Sequence, residues 1–111
     1  MRRRDYLGQF ELMVLLAVIR IGEDAYGVPI TRELEAASGR EVGIGSVYAA
    51  LERLEEKSLV SSRTGDPTPE RGGRAKQYFE VTSAGHGAVR DARRTLTRLW
   101  SRLPDLKGNT A

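Results

Sequence analysis

The fold is decided by residues 26–57, which read YGVPITRELEAASGREVGIGSVYAALERLEEK. Apolar residues recur here at spacings of three and four, which predicts two amphipathic helices over 26–39 and 44–57. Pro29 suits the first turn of the earlier helix, where its missing N–H is not needed, and Gly39 is typical of a helix end. We therefore expect the two helices to be joined by a short connection, SGREVG.

The second of these helices has an apolar face and an outward face with small side chains at its start. Its predicted core stripe consists of Ile44, Val47, Leu51 and Leu54. Two helices joined by a short turn are typical of a helix-turn-helix, and a DNA major groove admits the second helix only if its leading edge is not bulky. The outward residues that meet this condition are Gly45, Ser46 and Ala49. Candidate contacts to phosphates or base edges on this recognition helix are Ser46, Tyr48 and Arg53.

A β-hairpin is predicted after the recognition helix. Residues 59–63 suit a strand, residues 75–81 alternate in side-chain direction, and residues 65–74 between them hold two prolines and three glycines. A hairpin in this place predicts a DNA-binding wing, although the segment taken alone favours a solvated turn. The candidate wing contacts are Arg71, Gly72, Gly73, Arg74 and Lys76, because arginines suit a minor groove and glycines permit close approach of the backbone.

Helices are also predicted at both ends of the chain, over 7–21 and from an N-cap at Thr82 to just before Pro104. The first is apolar nearly all round and the last has a heptad-like seam, so a second copy of the chain is expected to cover them. The predicted homodimer contacts are Leu7, Phe10, Val14, Val89, Ala92, Leu96, Leu99, Trp100 and Leu103.

The predicted fold is mainly α with a small β-hairpin, in the order α-α-α-β-β-α of a winged helix-turn-helix. We expect a DNA-binding domain over 1–81, a dimerisation helix of the same unit over 82–104, and a flexible tail over 105–111. The absence of cysteine and the single histidine among 111 residues exclude thiol chemistry and a histidine metal cluster. No catalytic constellation is found, so we expect no enzyme, cofactor or metal.

Charge is unevenly distributed along the chain. The net charge is only +3, but residues 23–57 carry four basic and eight acidic groups, whereas residues 58–111 carry ten and five. A basic second half favours a polyanionic partner such as double-stranded DNA. No apolar run is long enough to cross a membrane and no signal-peptide cleavage site follows the basic start, which predicts a cytoplasmic protein.

The chain resembles the PadR-like winged-helix transcriptional regulators. The matching pieces are AYGVPITRELE at 25–35, GSVYAALERLEEKSLV at 45–60 and GGRAKQYFEVTSAG at 72–85. The resemblance implies a homodimer, joined through its first and last helices, that binds a pseudopalindromic operator and usually represses transcription. It implies DNA contacts by the recognition-helix and wing residues named above. Gly43 departs from the Ser or Thr often found before the family's recognition helix, so a side-chain cap is not expected there.

Some members of this family stack a flat aromatic or cationic effector on a tryptophan of the last helix. The resemblance makes Trp100 a candidate for such stacking, although Leu96 stands nearer the expected place; packing of Trp100 in the dimer seam is the favoured interpretation. Two further interpretations stay open at this point. One is a winged-helix module for protein interaction, favoured by the acidic balance of residues 23–57, and the other is a small-molecule sensor with its site at the dimer interface.

Overall fold

The computed structural model describes residues 7–65 and 75–104. Its elements follow the predicted order α-α-α-β-β-α, with a single turn of 3-10 helix at Gly22–Asp24 after the first helix. The helices and strands are α1 (Gln9–Ile21), α2 (Gly27–Ser38), α3 (Ile44–Glu56), β1 (Val60–Thr64), β2 (Gln77–Val81) and α4 (Ser83–Trp100). None of the helices in these two ranges is both long and apolar enough to cross a membrane.

The core forms where α1, α2 and α3 meet and the hairpin closes one side. Apolar side chains from all three helices are buried there, and β2 adds Phe79 and Val81 from its inward face. The largest fully buried side chains are Leu15, Ile30, Leu51, Leu54, Val14, Val18 and Val47. Each removes its apolar surface from water, worth roughly 1.5–3 kcal/mol per side chain, so this layer fixes the position of α3.

Local signals set the helix ends that the sequence predicted. Gly39 ends α2 in the left-handed conformation, with φ of 72°, and its N–H donates to the carbonyl of Glu35. Thr82 caps α4, because its hydroxyl oxygen accepts a hydrogen bond from the N–H of Gly85 at 3.0 Å. Both predicted boundaries are confirmed.

The hairpin is antiparallel, and Arg63 pairs with Tyr78 across it. One backbone hydrogen bond ties it to the helical layer, because the N–H of Phe79 donates to the carbonyl of Ala25 at 2.8 Å. A second, from the N–H of Thr82 to the carbonyl of Leu59 at 3.0 Å, continues the pairing of the two strands. The hairpin is therefore held against the start of α2, and its strands stay paired up to the residue where α4 begins.

Gly85 lets α4 approach the hairpin closely. A Cβ at Gly85 would overlap the backbone carbonyl of Leu59 and crowd the side chain of Val81. Because a carbonyl cannot swing away as a long side chain can, only glycine fits at this crossing.

Three expectations from the sequence need correction. Ile44 is 44% exposed rather than in the core stripe, because it is the first residue of α3 and extends past the layer that buries Val47. Val14 is fully buried within one copy of the chain, so its side chain is not available to a second copy. Leu103 lies beyond the end of α4, because Arg102 adopts a φ of 64° and the residue before Pro104 is disfavoured in a helix.

Candidate nucleic-acid interface

The outward face of α3 is exposed and carries small residues at its start. Gly45, Ser46 and Ala49 are all exposed, as the sequence predicted, and no side chain from another described element covers Gly45. Gly43 is the N-cap of α3 and has no side chain with which to cap it. No bulky side chain on this edge of α3 would therefore prevent it from entering a groove such as the DNA major groove.

The turn between α2 and α3 is fixed by a hydrogen bond across it. The carboxylate of Glu35 on α2 accepts from the N–H of Val42 at 3.0 Å, and the hydroxyl of Ser38 accepts from the N–H of Arg40 at 3.2 Å. These bonds hold α3 at a set angle to α2, which a helix-turn-helix requires.

Tyr48 connects α3 to the start of α2. Its ring stands so close to Gly27 that a Cβ there would overlap its hydroxyl and ring carbons. Tyr48 nonetheless remains 40% exposed. Its hydroxyl oxygen is the atom nearest to that Cβ position, so contact of the hydroxyl with a phosphate stays a prediction.

Arg53 is only partly available to an external partner. Its Nε donates to the carboxylate of Glu11 on α1 at 2.8 Å, and the Nζ of Lys57 donates to the other carboxylate oxygen at the same distance. About half of the Arg53 side chain, 51%, stays exposed beside this ion pair. The structure thus gives Arg53 a role between α1 and α3 that its sequence position did not reveal.

Glu11 is the buried charge of this network. Burial raises the pKa of the Glu11 carboxyl, but hydrogen bonds from Lys57 and Arg53 outweigh it and hold the pKa below its usual value. The signal in the sequence was a single carboxylate within a helix that is apolar nearly all round, and its partners lie more than forty residues away. Such a distant pairing is not visible to local pattern analysis.

Two tyrosines and two cations pack together near the loop end of the paired strands. The rings of Tyr26 and Tyr78 meet edge to face, with centroids 5.5 Å apart. The Nζ of Lys76 lies 4.8 Å from the centre of the Tyr26 ring, and the guanidinium of Arg63 lies 4.6 Å from that of Tyr78. We call this group of four residues the tyrosine cluster. Lys76 was predicted as a wing contact, whereas Tyr26, Tyr78 and Arg63 were missed.

The other predicted wing contacts, Arg71, Gly72, Gly73 and Arg74, lie outside the described residues. The predicted flexible tail over 105–111 lies outside them as well. Lys76 is therefore the one predicted wing contact whose surroundings the structure describes, and it is exposed.

An exposed apolar surface runs along α4 and the neighbouring side of α1. Leu96, Leu99 and Trp100 expose 44%, 67% and 65% of their surface, and Leu16 on α1 exposes 47%. An open groove of about 420 Å³ lies between the two helices. The residues that line it are Leu12, Leu16, Val89, Arg93, Leu96, Thr97 and Trp100.

The exposed apolar side of α1 differs from the predicted one. Leu7 and Phe10 pack partly buried against the core, and Val14 lies within it, whereas Leu16 and Ile19 face outward. On α4, Val89 and Ala92 are half-buried. Because α1 is apolar on nearly every side, its periodicity left open which side the core would take.

Comparisons with known proteins agree with this architecture. A family model described as the transcriptional regulator PadR-like family matches residues 15–91. An uncharacterized 37.1 kDa protein in a transposon of Streptomyces fradiae is 33% identical over 91 residues, which are 82% of this chain. The chain spans only 24% of the length of that relative.

Solved structures show the same fold. RosR from H. salinarum superposes with a TM-score of 0.67 at 28% identity, over 94% of this chain and 86% of that one. A PadR family transcription regulator from Clostridium difficile gives a TM-score of 0.66 at 20% identity, over 83% of this chain and 91% of that one. The family match covers the helix-turn-helix, the hairpin and the first half of α4. The chain therefore belongs to the PadR-like family of transcriptional regulators.

Proposed function

We propose that this chain is a sequence-specific DNA-binding regulator that acts as a homodimer, and that it represses transcription by occupying a promoter. The observation that carries the proposal is the open edge of α3. Its exposed small residues Gly45, Ser46 and Ala49 follow a hydrogen-bonded turn and match what a major groove admits. In this proposal α3 enters the groove, and Ser46 and Tyr48 donate to phosphates or base edges.

Arg53 contributes to DNA binding through the part of its side chain that the ion pair with Glu11 leaves open. Lys76, and the wing residues Arg71, Gly72, Gly73 and Arg74, hold the flanking backbone or minor groove. These contacts are largely electrostatic, so binding weakens steeply as salt rises. The proposal thus assigns specificity to α3 and much of the affinity to the wing.

Homodimerisation in this proposal uses the exposed apolar surface of α4 and α1. Leu96, Leu99 and Trp100 leave a large apolar area on a single copy, and an amphipathic helix of this kind is stabilised by a partner helix. A two-fold dimer presents two copies of α3 about 34 Å apart, one turn of B-DNA. The proposed operator is therefore pseudopalindromic.

Selection of protein-bound fragments from the genomic DNA of the source tests this function. We expect enrichment of fragments that share an inverted repeat with half-site centres about one helical turn apart. Titration of one such fragment at several salt concentrations should give a site-specific complex with a steep salt slope. No enrichment, together with no complex at low salt, would instead favour a winged-helix module for protein interaction, which the exposed Glu52, Glu55 and Glu56 on α3 would suit.

A second candidate function is the sensing of a flat aromatic or cationic compound. The observation that favours it is the groove beside Trp100, which has both an apolar lining and room for a small molecule. Titration of the protein with a planar aromatic cation should quench Trp100 fluorescence in a saturable manner. Unchanged fluorescence at high ligand concentration would leave Trp100 as a packing residue of the dimer seam.

A further inference from the structure

We propose that Tyr26 is the positioning residue that places the Lys76 ammonium for contact with a DNA phosphate and holds the wing in line with the recognition helix. The proposal rests on the proposed DNA-binding function and deepens it. No pattern in the sequence singles out Tyr26 for this task, because its partner Lys76 lies fifty residues further along the chain.

Tyr26 lies between the recognition helix and the hairpin, the two elements proposed to face DNA. Tyr26 is the N-cap of α2, and the next residue, Gly27, lies against the hydroxyl end of the Tyr48 side chain on α3. On its other side, Tyr26 meets the ring of Tyr78 on β2. A continuous path of contacts therefore runs from the recognition helix through the start of α2 to the hairpin.

A backbone hydrogen bond makes this path of contacts rigid. The carbonyl of Ala25, immediately before Tyr26, accepts the hydrogen bond from the N–H of Phe79, immediately after Tyr78. The two tyrosines are thus held beside each other by a main-chain bond as well as by their ring contact. Arg63 adds a further tie, because it lies over Tyr78 and its Nη2 reaches the carbonyl of Glu23 at 3.4 Å.

The ring of Tyr26 restricts the position of the Lys76 ammonium. Lysine has a long flexible side chain, and this side chain loses rotamer freedom when its ammonium binds a phosphate. The ring face attracts the ammonium and restricts it beforehand, so less of that freedom is lost on binding. The ring occupies one side of the ammonium, and Lys76 is exposed, which leaves N–H donors for a phosphate oxygen.

The test compares Tyr26→Phe, Tyr26→Leu and Lys76→Met with the wild type. The DNA is a mixed-sequence duplex of about 30 base pairs, which is long enough for both subunits of a dimer to bind. Phenylalanine keeps the ring face, whereas leucine keeps apolar bulk without it. Arg94→Met is the matched control for loss of one positive charge, because Arg94 pairs with Asp91 on α4, away from the hairpin. Urea unfolding of every variant accompanies the binding titrations.

We expect Lys76→Met to lower the slope of log affinity against log salt by about one phosphate contact per subunit and to weaken binding several-fold at low salt. Tyr26→Leu should weaken binding in the same direction, Tyr26→Phe should restore it, and Arg94→Met should change little. In the Lys76→Met background, Tyr26→Leu should have little further effect on binding.

Two results would overturn the positioning role while leaving the proposed function intact. One is a Tyr26→Leu variant that binds as the wild type does, and the other is a Tyr26→Leu effect that adds fully to that of Lys76→Met. If Tyr26→Leu unfolds, Tyr26→Phe against Lys76→Met still decides, because weakened binding by Tyr26→Phe would contradict a role of the ring face. Failure of the wild type itself to bind the duplex at low salt would instead contradict the proposed DNA-binding function.

Discussion

The buried carboxylate of Glu11 on α1 holds the guanidinium of Arg53 on α3 at 2.8 Å. Lys57, the C-cap of α3, binds the other oxygen of the same carboxylate. A single acidic residue therefore joins the helix that borders the proposed dimer surface to the proposed recognition helix. Because the carboxylate is buried and pairs with two cations, its loss should affect the fold more than the loss of a surface ion pair.

Replacement of Glu11 by glutamine tests this difference. Glu11→Gln keeps the shape of the side chain but removes its charge. We expect the free energy of unfolding to fall by about 1–2 kcal/mol, because the half-exposed Arg53 guanidinium can hydrogen-bond to water in place of the carboxylate. The matched control is Glu33→Gln on α2, whose partner Arg20 is largely exposed. Urea denaturation should show a change below about 0.5 kcal/mol for the control. Equal effects of the two substitutions would contradict a special role for Glu11.

Acid should weaken the fold through the same residue. Although burial raises the pKa of Glu11, its hydrogen bonds leave the pKa below the ordinary value of 4.5. A carboxyl with a lowered folded-state pKa stabilises the fold fully above its unfolded-state pKa, and that stability is lost as pH falls through the folded-state pKa. Unfolding measured from neutral pH down through the acid range should therefore show a decline that is smaller in Glu11→Gln. Parallel curves for the two proteins would argue against this linkage.

Two glycines of α4 should respond in opposite directions to alanine. Gly85→Ala places a Cβ against the backbone carbonyl of Leu59, so we expect a loss of about 1–3 kcal/mol in stability. Gly87 has only the flexible end of Arg90 near its missing Cβ, at 3.9 Å, so Gly87→Ala should stabilise the helix by up to about 1 kcal/mol. Thermal unfolding of both variants gives the comparison. A stable Gly85→Ala protein would show that α4 does not need this close approach.

A charge on the exposed apolar surface of α4 should separate the proposed homodimer. Leu96→Glu places a carboxylate in the groove lined by Leu16 and Trp100, where burial against a second copy would be costly. We expect sedimentation to show a folded monomer for this variant and a dimer for the wild type. Thr95→Glu, at an exposed neighbouring position outside the groove lining, should remain dimeric. A dimeric Leu96→Glu protein would contradict a dimer interface at this surface of α4.

The sequence predicts those parts of the structure that depend on local chemistry. The glycine end of α2 at Gly39 and the threonine cap of α4 at Thr82 are local signals, and both are confirmed. The outward face of α3 is also confirmed, because its apolar stripe leaves only one side for the core. On α1 no such contrast exists, so the side that holds Val14 was assigned wrongly to a second copy.

Tertiary pairing accounts for most of what the sequence did not reveal. Arg53 has the same local surroundings whether or not Glu11 approaches it, and only the packing of α1 on α3 brings them together. The contact between Tyr26 and Lys76 likewise depends on how the hairpin folds back on α2. Ile44 and Leu103 were misjudged because helical spacing says nothing about where the surrounding layer or the helix ends.

The central claim is that the open edge of α3 enters DNA, and Ala49→Glu tests it most directly. Ala49 is exposed on a stable helix, so the substitution should leave folding nearly unchanged while it adds bulk and negative charge at the groove. The measurement is a salt-dependent anisotropy titration of the wild type and Ala49→Glu on a selected genomic fragment. We expect a steep salt slope for the wild type and a loss of at least tenfold in affinity for the variant, about 1.4 kcal/mol. Equal affinity of the two proteins, or no wild-type complex at low salt, would contradict the account.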